Sequence, residues 1–329
     1  MTFAADGPYF EDLEPGTCFD DAPAVTLTEG HAAVHQSIIG DRLRLPLDSV
    51  LSARVTGRTR LAHPALVWNL AIGQSTLATR RVKANLFYRS LAFHRAPAIG
   101  DTLHTTTTVV ALRQNAPKPG RSATGLAVLR IVTADQQEQP ILDFHRCAMI
   151  PLRDPNIETG HHDDLSAIGA ETDIASATAS LADWNLTAFP KGGLTADDLR
   201  PGRTWDIPAG DVVSSAPELA RLTLNIAAVH HDSSAAGVRR LVYGGHTIAL
   251  ALAQISRDLP GLITVPAWHG CDHLAPVYEG DTLRTRITIE NRTPIREHAT
   301  LLDLRAMVTA DRDGTAQPVL DWRFLALHR

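Results

Sequence analysis

The chain has 329 residues, 44% hydrophobic and 20% charged, enough for one large core or two ordinary ones. Its 31 Lys+Arg against 36 Asp+Glu give a formal net charge of −5, so no basic excess is available to neutralise a nucleic-acid backbone or an anionic membrane surface. Three widely spaced cysteines (Cys18, Cys147, Cys271) form no disulfide framework, the acidic stretch 1–16 lacks a signal-peptide pattern, and the apolar Ile248–Ile255 region is too short for a membrane span; together they predict a cytoplasmic protein.

Taken in chain order, the predicted elements run through the same layout twice. Leu13-Glu14-Pro15-Gly16 returns as Leu199-Arg200-Pro201-Gly202, offset by 186. An irregular polar stretch then leads to a strongly apolar helix, carried by Leu66, Val67, Leu70, Ala71 and Ile72 in the first copy and spanning about His246–Asp258 in the second. Gly100-Asp101-Thr102-Leu103 returns as Gly280-Asp281-Thr282-Leu283, offset by 180. Three Thr/Val/Ile-rich runs follow, Thr102–Leu112, Ala123–Ala134 and Pro140–Ile150, matched by Thr282–Glu290, Ala299–Ala310 and Gln317–His328. Val132–Asp135 recurs as Val308–Asp311 (offset 176) and Leu142-Asp143-Phe144 as Leu320-Asp321-Trp322 (offset 178). So long a period marks a duplicated domain rather than a solenoid. The expected boundaries are 8–152 and 191–329, with 153–190, rich in Ala, Ser, Thr and Asp, as linker. A helix that is apolar all round must be enclosed, so each copy should be an antiparallel sheet curled around it, an α+β fold.

The stretch before the second helix reads Asn225-Ile-Ala-Ala-Val-His230, then Arg239-Arg240-Leu-Val-Tyr-Gly244-Gly245-His246. Here the sequence resembles the MaoC-like, hotdog-fold (R)-hydratases, whose motif Gly-Asp-x-Asn-Pro-x-His is followed by His-Gly opening the central helix. Within them it is most similar to the mesaconyl-CoA hydratase (β-methylmalyl-CoA dehydratase) branch. The resemblance implies a double hotdog that reversibly hydrates a short branched or dicarboxylic enoyl-CoA thioester. It also implies a catalytic second copy, with His230 as acid/base, Asn225 placing water or the carbonyl, and Gly245 donating a backbone N–H to the thioester oxygen.

These residue types suit that chemistry. Imidazole moves protons near neutral pH, and a glycine at a helix start exposes an amide at the positive end of the dipole. Asn225 stands where many family members carry aspartate, and an amide cannot act as a general base. The first copy has Asp48 at the histidine position and Pro64, which has no N–H, at the donor position, so it is expected to be catalytically degenerate. Arg239 and Arg240 are candidates for an acyl carboxylate or CoA phosphates, with Gly244 and His246 as further substrate contacts. Asp232 reads as a helix cap and Asp41 as structural.

His269, Cys271 and His273 alternate and would share one strand face, a geometry that converges poorly on a metal, so no metal is expected. No cofactor is expected either, since the thioester itself acidifies Cα. Both hotdog partners are fused here, giving a pseudo-dimeric monomer with further homodimerisation left open. The rival readings are a fatty-acyl (R)-specific enoyl-CoA hydratase, a non-catalytic acyl-CoA binding protein and, behind these, a thioesterase.

Overall fold

The computed structural model describes residues 7–170, 172, 174–195, 197–237, 239–296 and 299–329; part of the acidic N-terminal stretch, residues 1–6, lies outside them. The first half runs β1 (Cys18–Phe19), β2 (Val25–Thr26), α1 (Glu29–Ile39), α2 (Arg44–Leu47), α3 (Ser49–Thr56), α4 (Pro64–Gln74), β3 (Ala84–Phe93), β4 (Thr102–Gln114), β5 (Thr124–Ala134) and β6 (Pro140–Pro151). After α5 (Ile174–Ala179), the second half runs β7 (Thr204–Asp206), β8 (Asp211–Val212), α6 (Ala216–Leu222), α7 (Ser233–Ala236), α8 (Gly244–Asp258), β9 (Leu262–His273), β10 (Thr282–Arg296), β11 (Ala299–Arg312) and β12 (Thr315–His328). The six strands expected from the sequence are present, and α8 starts two residues before His246, at Gly244.

The strands form one continuous antiparallel sheet in the order β1-β4-β5-β6-β3-β9-β12-β11-β10-β7. The halves join where β3 pairs β9, with Phe87 opposite Asp272 and Tyr88 opposite Cys271. The repeated Gly-Asp-Thr-Leu is a turn device: Gly100 and Gly280 take positive φ (105° and 89°), and Asp101 and Asp281 accept from the amides of Ala98 and Tyr278.

Every residue of α4 is buried, and α8 is buried from Gly245 to Ser256, as their all-round apolarity requires. The core crosses between the halves. Trp68 of α4 packs edge-on against Trp268 of β9 and Trp322 of β12, with ring centroids 4.8 and 6.2 Å apart. Segment 153–190 contributes buried Leu181, Trp184, Leu186 and Phe189, which pack against Leu45 and Leu51 of the first half and Ile263 and Leu327 of the second.

Gly73 governs how the halves dock. A Cβ there would lie 1.7 Å from the carbonyl oxygen of Thr223, so only glycine lets α4 approach the loop after α6 so closely. Thr76 Oγ1 then accepts from the Ile226 amide (3.0 Å), fastening that loop to the first half.

Candidate active site

The fastened loop carries the motif. Leu224 is left-handed (φ 57°), and the following Asn225 is buried, its Oδ1 accepting from the Ala227 amide (3.0 Å). With the oxygen so occupied, the amide's NH2 is the group left to meet a ligand. One 3-10 turn later, His230 donates from Nδ1 to the Leu241 carbonyl (2.8 Å), a bond that leaves Nε2 as the free base. His231 braces the turn through Nε2 to the Asn225 carbonyl (2.6 Å).

Asn225 and His230 open onto a cavity of about 340 Å³ built from both halves. Its buried lining includes Ile72, Tyr88, Arg146, Tyr243 and Thr247, while Lys83, Leu274 and Pro276 are exposed and mark the mouth. The volume lies within the range of small-molecule sites. No aspartate or glutamate is among the lining residues.

Burial sets the electrostatics. Desolvation lowers His230 to about 4, opposed by its bond to Leu241 and assisted by the Arg146 charge. His273, which also lines the cavity, falls to about 4 by desolvation and the same guanidinium. Burial raises the Tyr88 and Tyr243 phenols. At neutral pH the walls therefore carry neutral imidazoles and neutral phenols.

The predicted residues divide into those that meet at the cavity and those that do not. Asn225, His230 and Gly244 line it together. A Cβ on Gly244 would strike the His273 ring at 2.6 Å. Gly245, the expected donor, is not itself among the lining residues: it sits one position behind Gly244, packed against Asn69 Oδ1 and the Tyr243 ring. Its amide and that of Gly244 head α8 and donate to no other group among the described residues.

His246 departs from expectation. Two residues along a helix is about 200°, so with Gly244 and Thr247 on the cavity face, His246 points away. It is fully buried and electrostatically coupled to His35. Arg239 and Arg240 are also outside the cavity. Arg239 lies over the Tyr278 ring (4.8 Å) and donates to the Glu279 carbonyl, whereas Arg240 pairs with the Glu279 carboxylate (2.7 Å). Arg239 does border a surface hollow that shares Lys83, Val229, Leu241 and Pro276 with the cavity mouth. Asp232 caps α7 through the Ser234 amide.

His269 does not share a face with Cys271 and His273. An extra residue at His269 breaks the β9 register between Trp268 and Gly270, so His269 meets Asp303 (3.0 Å), whereas Cys271 and His273, with unbroken register between them, both face inward, one into the core and one onto the cavity.

Reading the second copy alone missed Arg146 and Tyr88 of the first half; His273, weighed above as a metal ligand, lines the cavity instead. For Arg146 a signal was present: it falls in phase with Phe144, Ala148 and Ile150 on the inward face of β6, where a charge is out of place.

The fold and site define a pair of hotdog units, each with its own enclosed helix, sharing one continuous sheet, with a histidine-bearing cavity at the seam. The chain is 54% identical to a Mycobacterium tuberculosis protein with a double hotdog fold, covering 99% of this chain and all of that one, with a TM-score of 0.93. A MaoC-domain dehydratase of Chloroflexus aurantiacus is 26% identical, covering 100% of this chain and 99% of that one, with a TM-score of 0.81. The β-methylmalyl-CoA dehydratase of Chloroflexus aurantiacus is 29% identical over 318 residues, 93% of this chain and 89% of that protein. No family model matches the chain. The chain belongs to the double-hotdog proteins and is similar to the MaoC-like dehydratases among them. No helix among the described residues is long and apolar enough to cross a membrane.

Proposed function

We propose that the protein is an acyl-CoA hydratase/dehydratase acting on a short branched or dicarboxylic enoyl-CoA thioester of the mesaconyl-CoA/β-methylmalyl-CoA kind. The observation that carries this reading is the meeting of His230, Asn225 and the α8 N-terminus around one cavity at the seam.

The neutral Nε2 of His230 takes a proton from water as the water oxygen bonds to Cβ of the enoyl group. The C=C electrons move towards the thioester carbonyl, whose growing negative charge is met by the Gly244 and Gly245 amides that head α8, unpaired among the described residues, and by the positive end of its dipole. The imidazolium then delivers its proton to Cα, completing the addition of H and OH. Dehydration is the same path reversed. The Asn225 NH2 holds the attacking water by its oxygen, replacing the second base that an aspartate supplies in other family members. At the mouth, Lys83 and Arg239 are the cations placed to meet CoA phosphates.

The buried lining argues against long fatty-acyl chains, because an aliphatic tail would desolvate the Arg146 guanidinium without pairing it. The test is loss of enoyl-thioester absorbance with mesaconyl-CoA and crotonyl-CoA, alongside free-CoA release. Hydration without CoA release is the expected result. Release of CoA would make the protein a thioesterase, and binding without turnover a carrier.

A further inference from the structure

The cavity contains a cation that the mechanism leaves unused. Arg146 of β6 is 3% exposed, and its guanidinium bonds only neutral oxygens: Nε to Asn85 Oδ1 and Nη1 to Ser75 Oγ, both 2.8 Å. Nη2 has no hydrogen-bond partner among the described residues, although the side chain lines the cavity. Neighbouring arginines on the same sheet are paired, Arg89 with Asp272 and Arg130 with Asp143. A buried guanidinium held by neutral acceptors alone is costly, and the groups around it contain no carboxylate to offset the charge. Its two neutral bonds fix the planar fork in place before any ligand arrives.

The duplication supplies a control. At the offset of 178 that aligns Leu142-Asp143-Phe144 with Leu320-Asp321-Trp322, Arg146 corresponds to Phe324. Phe324 is fully buried and stacked on Trp322 with centroids 3.8 Å apart. A strand position that serves packing in one copy thus presents a charge in the other, and only the charged one faces a cavity.

We infer that Arg146 is the specificity residue of this site, binding a carboxylate at the far end of the acyl group while the second half handles the thioester; the inference rests on the acyl-CoA reading above. The first copy, without catalytic groups of its own, would then select the substrate for the second.

Succinyl-CoA and butyryl-CoA share a four-carbon acyl group and differ in a terminal carboxylate against a methyl, and neither can be hydrated. Calorimetric titration of the full-length protein should show succinyl-CoA bound at least about tenfold more tightly than butyryl-CoA. Arg146→Gln should weaken succinyl-CoA by about 30-fold or more and leave butyryl-CoA within about threefold, with Arg146→Lys in between. In turnover, Arg146→Gln should lower kcat/KM by a factor at least about tenfold larger for mesaconyl-CoA than for crotonyl-CoA. Equal loss with both ligands, or no loss with succinyl-CoA, overturns the assignment. Should Arg146→Gln not fold, absence of a wild-type preference for succinyl-CoA overturns it as well. A wild type that hydrates neither enoyl-CoA sinks the hydratase reading, while the titration still decides Arg146.

Discussion

Two places in the molecule share a backbone and differ in what they contain. Gly40 (φ 67°) precedes Asp41, whose Oδ1 accepts from the Leu43 amide; Leu224 (φ 57°) precedes Asn225, whose Oδ1 accepts from the Ala227 amide. Beyond this shared turn the copies part. The second runs through His230 and leaves a cavity, whereas the first runs into α2 and α3, with Asp48 capping α3 through the Leu51 amide. The corresponding space in the first copy is packed with imidazoles. His63 Nε2 lies 3.1 Å from Asp41 Oδ1, the His35 ring is 4.9 Å from that of His63, and His246 reaches in from the other half. The contrast teaches that a duplicated loop does not preserve a site. The cavity also requires the partner half to supply polar groups instead of filler, Arg146 instead of Phe324.

The sharpest way to break the comparison is His230→Ala. If the second copy holds the chemistry, hydration should fall by about 10²–10⁴-fold while the thermal midpoint stays close to wild type. Full activity in that variant would remove His230 from the mechanism.

Trp68→Ala tests whether the halves share one core. It should cost about 3–5 kcal/mol, read as a shift of one denaturant transition reported equally by probes in each half. Two separate transitions would mean that the halves are energetically independent.

Gly73→Ala probes the docking of one half on the other's loop. The new Cβ meets the Thr223 carbonyl, so the loop bearing Asn225 must move, and kcat should drop by about tenfold or more. An unchanged kcat would show that Asn225 placement is not critical.

The buried imidazoles give a pH signature. His246 and His328, fully or nearly fully buried, have pKa values lowered to about 4 by desolvation. Below the ordinary histidine value of 6.5 the unfolded chain takes up protons that the folded chain refuses. Stability is therefore present above pH 6.5 and lost as the pH falls towards 4, by up to about 1.4 kcal/mol per pH unit for each such imidazole. Thermal midpoints at pH 7.5, 6 and 5 should descend, and His246→Leu should flatten the descent.

The smallest effect belongs to Asp48→Ala, which removes a helix cap for about 1 kcal/mol and should leave kcat untouched. A large activity loss there would restore a catalytic role to the first copy.

The strands and the enclosed helices were legible in the sequence because periodicity is dictated by local conformation, and the Asn225–His230 loop because its motif resembles that of a known family. Alternation specifies a strand and all-round apolarity an enclosed helix. Which side chains share a cavity is not local. Tyr88, Arg146 and His273 come together only when β3 pairs β9 and Gly73 lets α4 settle on the other half's loop. His246 was misplaced because motif proximity says nothing of helix phase, and 200° of rotation carried it to the far side. The β9 bulge separated His269 from Cys271 and His273 for a comparable reason: pairing with β12, not the residues themselves, decided where the extra residue would sit.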